Sequence, residues 1–183
     1  MTDDEMVAFL AVYGLDPGTV PEGETARAHI AQALRRYFGE TLGIDFSNVS
    51  ECLMLDSIEY HLFPNMFFFP GINIPMAYRF RPNGMDVDSS IFDVLILELL
   101  ADGVEHPAPP EPVKLDVEQS YTEVEGIGWL GPVYDQDTGN LALQQLGFKT
   151  SRKKGLTLGN YQESRIRRVH MTLDEFMSGA AGE

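Results

Sequence analysis

The sequence predicts an α+β fold, a mostly antiparallel β-sheet with a long C-terminal helix packed across it. Between residues 50 and 100, runs of β-branched, aromatic and long apolar residues are separated by Pro64, Pro70-Gly71 and Pro82-Asn83-Gly84. Such runs joined by short turns are the mark of antiparallel strands. Within one of them Met76, Tyr78 and Phe80 alternate with Ala77, Arg79 and Arg81, the period of a sheet with one wet face. Further on, Ile166, Val169, His170, Leu173, Phe176 and Met177 recur at helical spacing and form a long amphipathic stripe.

The elements follow in order. Thr2-Asp-Asp-Glu5 has capping-box spacing, and Met6, Val7, Leu10 and Tyr13 continue with helical period until Gly14 stops the turn. Asp16-Pro17-Gly18 makes a turn. Over residues 24–38, Ala26, Ile30, Ala33, Leu34 and Tyr37 share one helical face, and Gly39 and Gly43 end the helix. Strands are expected over 50–60, 65–69, 75–81 and 89–100, and a further strand over 115–124. Between the last two, residues 104–112 carry four prolines and read as an irregular connector. Residues 137–147 read as a helix with an acidic residue placed to cap its start. Asn160-x-x-Glu163 repeats the cap signature, with Glu163 and Arg167 as an i,i+4 pair. The chain thus divides into a helical lead-in over 1–48, a sheet-and-helix domain over 49–178, and a fraying tail over 179–183.

Composition narrows the function. The 183 residues suffice for one domain with its own core, and 44% hydrophobic against 22% charged residues is a globular composition. A net charge of −15 leaves no basic stripe to displace counterions from phosphates, which argues against nucleic acid. The densest basic run, Arg152-Lys153-Lys154, reads as a solvated loop. One cysteine, Cys52, excludes an internal disulfide and an iron–sulfur cluster within the chain. The start lacks the basic region of a signal peptide, and the apolar stretch from Ile91 is far too short to span a membrane. A cytoplasmic location is the expectation.

Few residues offer chemistry. His29, His61, His106 and His170 are separated by 32, 45 and 64 residues, so no pair has metal-ligand spacing. His170 on the apolar stripe reads as a hydrogen-bonded core or interface histidine. Gly126-Ile-Gly128-Trp-Leu-Gly131 satisfies the dinucleotide fingerprint formally, but Pro132 and an acidic tract follow it. A flexible approach to the next helix explains those glycines. Aspartate before Thr138-Gly139-Asn140 is by itself a cap or turn residue. The aromatic residues Phe67, Phe69, Tyr78 and Phe92 fill a core, or line an apolar pocket.

Two tracts carry a resemblance. Leu130-Gly-Pro-Val-Tyr-Asp-Gln-Asp137-Thr-Gly-Asn140 is followed 20 residues later by Asn160-Tyr-Gln-Glu-Ser-Arg-Ile-Arg-Arg-Val-His170. Together they resemble the C-terminal part of the catalytic domain of Rieske-type aromatic ring-hydroxylating oxygenase α subunits. The resemblance implies a helix-grip catalytic domain, here partial, and makes Asp137 the one carboxylate ligand of a mononuclear non-haem Fe(II), with Asp135 as the competing assignment. It implies two histidine ligands from a D-x-x-H-x-x-x-x-H segment and a Rieske [2Fe–2S] motif, neither of which this sequence contains. For the complete system it implies O2, a hydrophobic or aromatic substrate, NAD(P)H-derived electrons through a reductase and ferredoxin, and an oligomer of α subunits. The chain is then a split subunit or a fragment, inactive alone unless a second chain supplies the histidines. The rival expectation is a non-catalytic helix-grip module that binds a hydrophobic ligand or joins complete α subunits.

Overall fold

A computed structural model of the chain describes residues 5, 8–16, 18, 20–153 and 155–179. Thr2, Asp3 and Asp4 of the expected N-terminal cap, with Met6, Val7, Pro17, Lys154 and the tail from Ala180, lie outside the described residues. The chain forms two units, the first from 1–60, 67–78 and 94–108, the second from 61–66, 79–93 and 109–183.

Helix α1 (Ala26–Leu42) organises the first unit. Thr25 accepts the N–H of Ala28 at 3.1 Å and caps its start, and Gly43, at φ 68°, ends it in a left-handed conformation open to glycine. Its inner face, Ala26, Ile30, Ala31 and Leu34, is buried with Leu10, Phe46 and Met54. Leu10 comes from a 3-10 turn, Phe9–Tyr13, that stops at Gly14 as the sequence predicts. Met54 comes from a short helix α2 (Glu51–Leu55), which replaces the strand expected over 50–60. Ser50 accepts the N–H of Leu53 at 3.3 Å, and Arg27 grips Asp56 through two bonds of 2.8 Å. This cap and this bidentate pair hold the turn helical against the strand preference of its side chains.

The sheet is a four-stranded antiparallel meander, β1 (Tyr60–Leu62), β2 (Met66–Phe69), β3 (Met76–Asn83) and β4 (Asp86–Ile96), in the order β1-β2-β3-β4. In the first unit Phe67 and Phe69 flank Tyr78, with ring centroids 5.1 and 6.0 Å apart. In the second, Phe80 stacks on Phe92 at 4.7 Å. The alternate residues point the other way, where Arg79 and Arg81 converge on Asp93 at 2.7 and 2.5 Å. The alternation read from the sequence is therefore the alternation of the two faces.

The remaining regular elements of the second unit are helical. Residues 115–124 form no strand, because Ser120 and Glu123 close a reciprocal capping box around a 3-10 turn, Tyr121–Glu123. A second 3-10 turn, Glu125–Ile127, leads to α3 (Leu130–Thr138), α4 (Leu141–Thr150) and α5 (Ser164–Met177). The helix expected over 137–147 is thus divided at Gly139-Asn140, and Asp137 lies in the last turn of α3 rather than at a helix start. Asn160 caps nothing: Glu163 occupies the cap position of α5 and its carboxylate accepts the N–H of Gly159. Arg167 donates to the carbonyl of Leu158 at 3.3 Å rather than to Glu163. No residue of α5 is buried, and the ring of Phe176 lies tilted against that of Phe63, beyond β1, with centroids 4.7 Å apart. Among the described residues no helix is long and apolar enough to cross a membrane.

Two outcomes follow from this architecture. Leu34→Ala empties a fully buried site and should cost about 2–5 kcal/mol in a denaturant titration. Hydrogen bonds from Arg81 and then Arg79 hold the Asp93 carboxyl well below the usual carboxylate range. The folded pKa is depressed, so its stabilisation is complete above the unfolded value of about 3.9 and is lost as pH falls below it. Asp93→Asn should therefore lower Tm at pH 7, and the gap from wild type should begin to narrow below about pH 5 and close only as pH falls through the depressed folded value. A gap independent of pH would show that the arginines do not hold the charged form.

Candidate functional site

Helix α3 and the loop before it place the carboxylates singled out by the sequence. The loop orders itself first. The side-chain carbonyl of Gln119 accepts the N–H of Asp116 at 2.9 Å, and its amide donates to Glu123 at 3.1 Å. Glu123 in turn accepts the N–H of Ser120 at 3.2 Å. Onto this frame α3 docks closely, because Gly131 lacks a side chain. A Cβ there would lie 3.1 and 3.2 Å from the Thr122 backbone. Gly131 is thus a packing residue, and the fingerprint that contains it follows no parallel strand. Pro132 sits in the first turn of α3, where its missing N–H removes no intrahelical bond.

One face of α3 is committed to the protein. Tyr134 is buried against Phe92 and Tyr121, at 5.6 and 5.4 Å between ring centroids. Next to it Asp135 accepts two hydrogen bonds, from the Ser120 hydroxyl at 2.5 Å and the Tyr121 N–H at 2.8 Å. Both of its oxygens are engaged. The other face is open: Trp129, Val133 and Asp137, four residues apart, are all exposed. No described residue hydrogen-bonds or ion-pairs with the Asp137 side chain.

The four histidines sit on separate segments of the chain. His29 is half-buried on α1, and His61 in β1 lies 3.3 Å from the Pro64 carbonyl. His106 and His170 are exposed, so of the two readings of His170, core or interface, the structure excludes the core. Among the described residues no three His, Cys, Asp or Glu side chains are placed to hold a metal ion. Asp137 alone does not fit one. A hydrogen bond to Asp56 and partial desolvation hold the Cys52 thiol above the usual range, which disfavours its thiolate. Phe67, Phe69 and Tyr78 form one aromatic group in the first unit. Phe92 belongs to another in the second, with Phe80, Tyr121 and Tyr134. A shallow depression of about 230 Å3 bordered by Phe148, Ser151, Lys153, Gly155 and Leu156 includes none of the four.

The clasp of Asp135 on Ser120 and Tyr121 escapes sequence reading. Ser120-x-x-Glu123 carries capping-box spacing, yet no local pattern joins it to a carboxylate 15 residues later.

A family model described as ring hydroxylating alpha subunit (catalytic domain) matches residues 14–179, a span that begins upstream of α1 and ends after α5. No curated protein and no solved structure matches the chain.

The close approach at Gly131 is open to test. Gly131→Ala adds a favourable helix residue, but its methyl meets backbone at 3.1–3.2 Å. A net loss of about 1–3 kcal/mol is expected in chemical denaturation. Unchanged or greater stability would mean that α3 does not pack so closely on Thr122.

Proposed function

The chain belongs to the family of ring hydroxylating alpha subunit catalytic domains, and from that premise we propose that it is the carboxylate-bearing portion of a ring-hydroxylating, non-haem iron oxygenase. In this reading Asp137 is the acidic ligand of a mononuclear Fe(II) whose two histidines come from another polypeptide or segment. The observation that carries it is the exposed, uncommitted Asp137 on a helix whose neighbouring carboxylate, Asp135, is fully engaged. An iron site of the two-histidine, one-carboxylate type needs three ligands on one face of the metal. With one ligand the chain by itself holds no iron.

Bound in a complete site, iron would supply the activation of O2. This chain's contribution is to hold one carboxylate on a fixed helix and to offer apolar surface near it. The substrate class is a hydrophobic or aromatic ring, with Phe92, in the unit that carries Asp137, as a candidate contact. The electrons come from NAD(P)H through a reductase and a ferredoxin, in the cytoplasm. A second reading has support of its own. No residue of α4 is buried, and Leu143 and Phe148 are 70% and 52% exposed. A helix with so much open apolar surface is suited to joining complete α subunits.

Anaerobic Fe(II) titration separates these readings. The chain alone should retain no stoichiometric iron after desalting. Mixed with an α-subunit polypeptide that carries the D-x-x-H-x-x-x-x-H segment, it should retain about one iron per pair, and Asp137→Ala should abolish that. Tight stoichiometric iron with O2-dependent hydroxylation by the chain alone would overturn the proposal. Association without iron would favour the assembly reading.

A further inference from the structure

We infer that Asp135 is a positioning residue: by clasping Ser120 and Tyr121 it fixes the rotation of α3 about its own axis and so turns the Trp129–Val133–Asp137 face outward. The inference rests on the reading of Asp137 as the functional carboxylate, but it concerns the metal-free chain.

Residues two apart on an α-helix are separated by about 200°. A carboxylate at 135 that faces the loop therefore sends the one at 137 nearly the opposite way. Asp135 is half-buried with bonds of 2.5 and 2.8 Å, and Asp137 is exposed. These bonds act where the helix most needs them. Trp129 at the N-cap position gives no side-chain cap, and the first turn of α3 has no acidic residue, so the helix start contributes little anchoring of its own. The buried ring of Tyr134 and the close approach of Gly131 to Thr122 hold the same side of the helix. Two bonds to one carboxylate, donated by a hydroxyl and a backbone N–H, set a single angle.

The chain has one tryptophan, and it lies on the outward face, so its fluorescence reports that angle directly. Asp135→Asn and Ser120→Ala are compared with wild type at about 10 °C, with circular dichroism confirming that each remains folded. Ser120→Ala removes the hydroxyl bond to Asp135 together with the cap that Ser120 places on the Thr122 N–H, and keeps the test available if Asp135→Asn does not fold. Both variants should shift the Trp129 emission maximum and change its acrylamide quenching. Both should also speed exchange of the Tyr121 amide by about tenfold or more. Asp137→Asn should leave all three at wild-type values. Variants that lose Tm but keep wild-type Trp129 emission and quenching would overturn the inference and leave Asp135 a stabilising cap only. Because no metal is present, failure to assemble iron would not produce that result.

Discussion

An α-helix cannot present two side chains two residues apart to the same place, and the arrangement of α3 depends on that constraint. About 100° of turn per residue sends Asp135 and Asp137 to nearly opposite sides. The inner side is occupied by the protein: Asp135 takes the Ser120 hydroxyl and the Tyr121 N–H, Tyr134 meets Phe92 and Tyr121, and Gly131 lets the Thr122 backbone approach. The outer side carries Trp129, Val133 and Asp137 in the open. Under the proposal that Asp137 is an iron ligand, that division is what leaves its carboxylate available.

Commitment also separates the carboxylates of the rest of this acidic chain. Asp56 is gripped by Arg27, Asp93 by Arg79 and Arg81, and Asp88 by Lys149 at 2.5 Å with Gln145 at 3.1 Å. Arg27 above all, and then Cys52, lower the pKa of Asp56, as the two arginines do for Asp93. These pairs lie at half-exposed positions, where solvent screens them, and their role is more geometric than energetic. Asp56 ends α2 and Asp93 ties two strands together. Asp137 has no such task.

Much of the fold was legible in the sequence because its determinants are local. Thr25, Gly14 and Gly43 mark helix ends by their own conformational preferences, and the two-residue period of β3 follows from one strand's own side chains. The misreadings share a different cause. Residues 51–55 look like strand, yet Ser50 and the distant Arg27 keep them helical. Residues 115–124 look like strand as well, and a capping box with a carboxylate from α3 folds them into a 3-10 turn. At Gly139-Asn140 a helix boundary replaces the expected continuity, which moves Asp137 from a start to an end. The candidate carboxylate was legible by resemblance. Which of two neighbours is free was not, because it depends on a partner 15 residues away.

Exposed apolar surface on α4 and α5 suits the proposed partnership with another polypeptide. All of this depends on the division of labour between two aspartates, and carbodiimide labelling of native carboxylates followed by peptide mass spectrometry tests it most directly. Asp137 should label at the rate of an exposed side chain while Asp135 stays protected until the protein is unfolded. Equal labelling of the two in the folded chain, or protection of Asp137 with labelling of Asp135, would contradict the account.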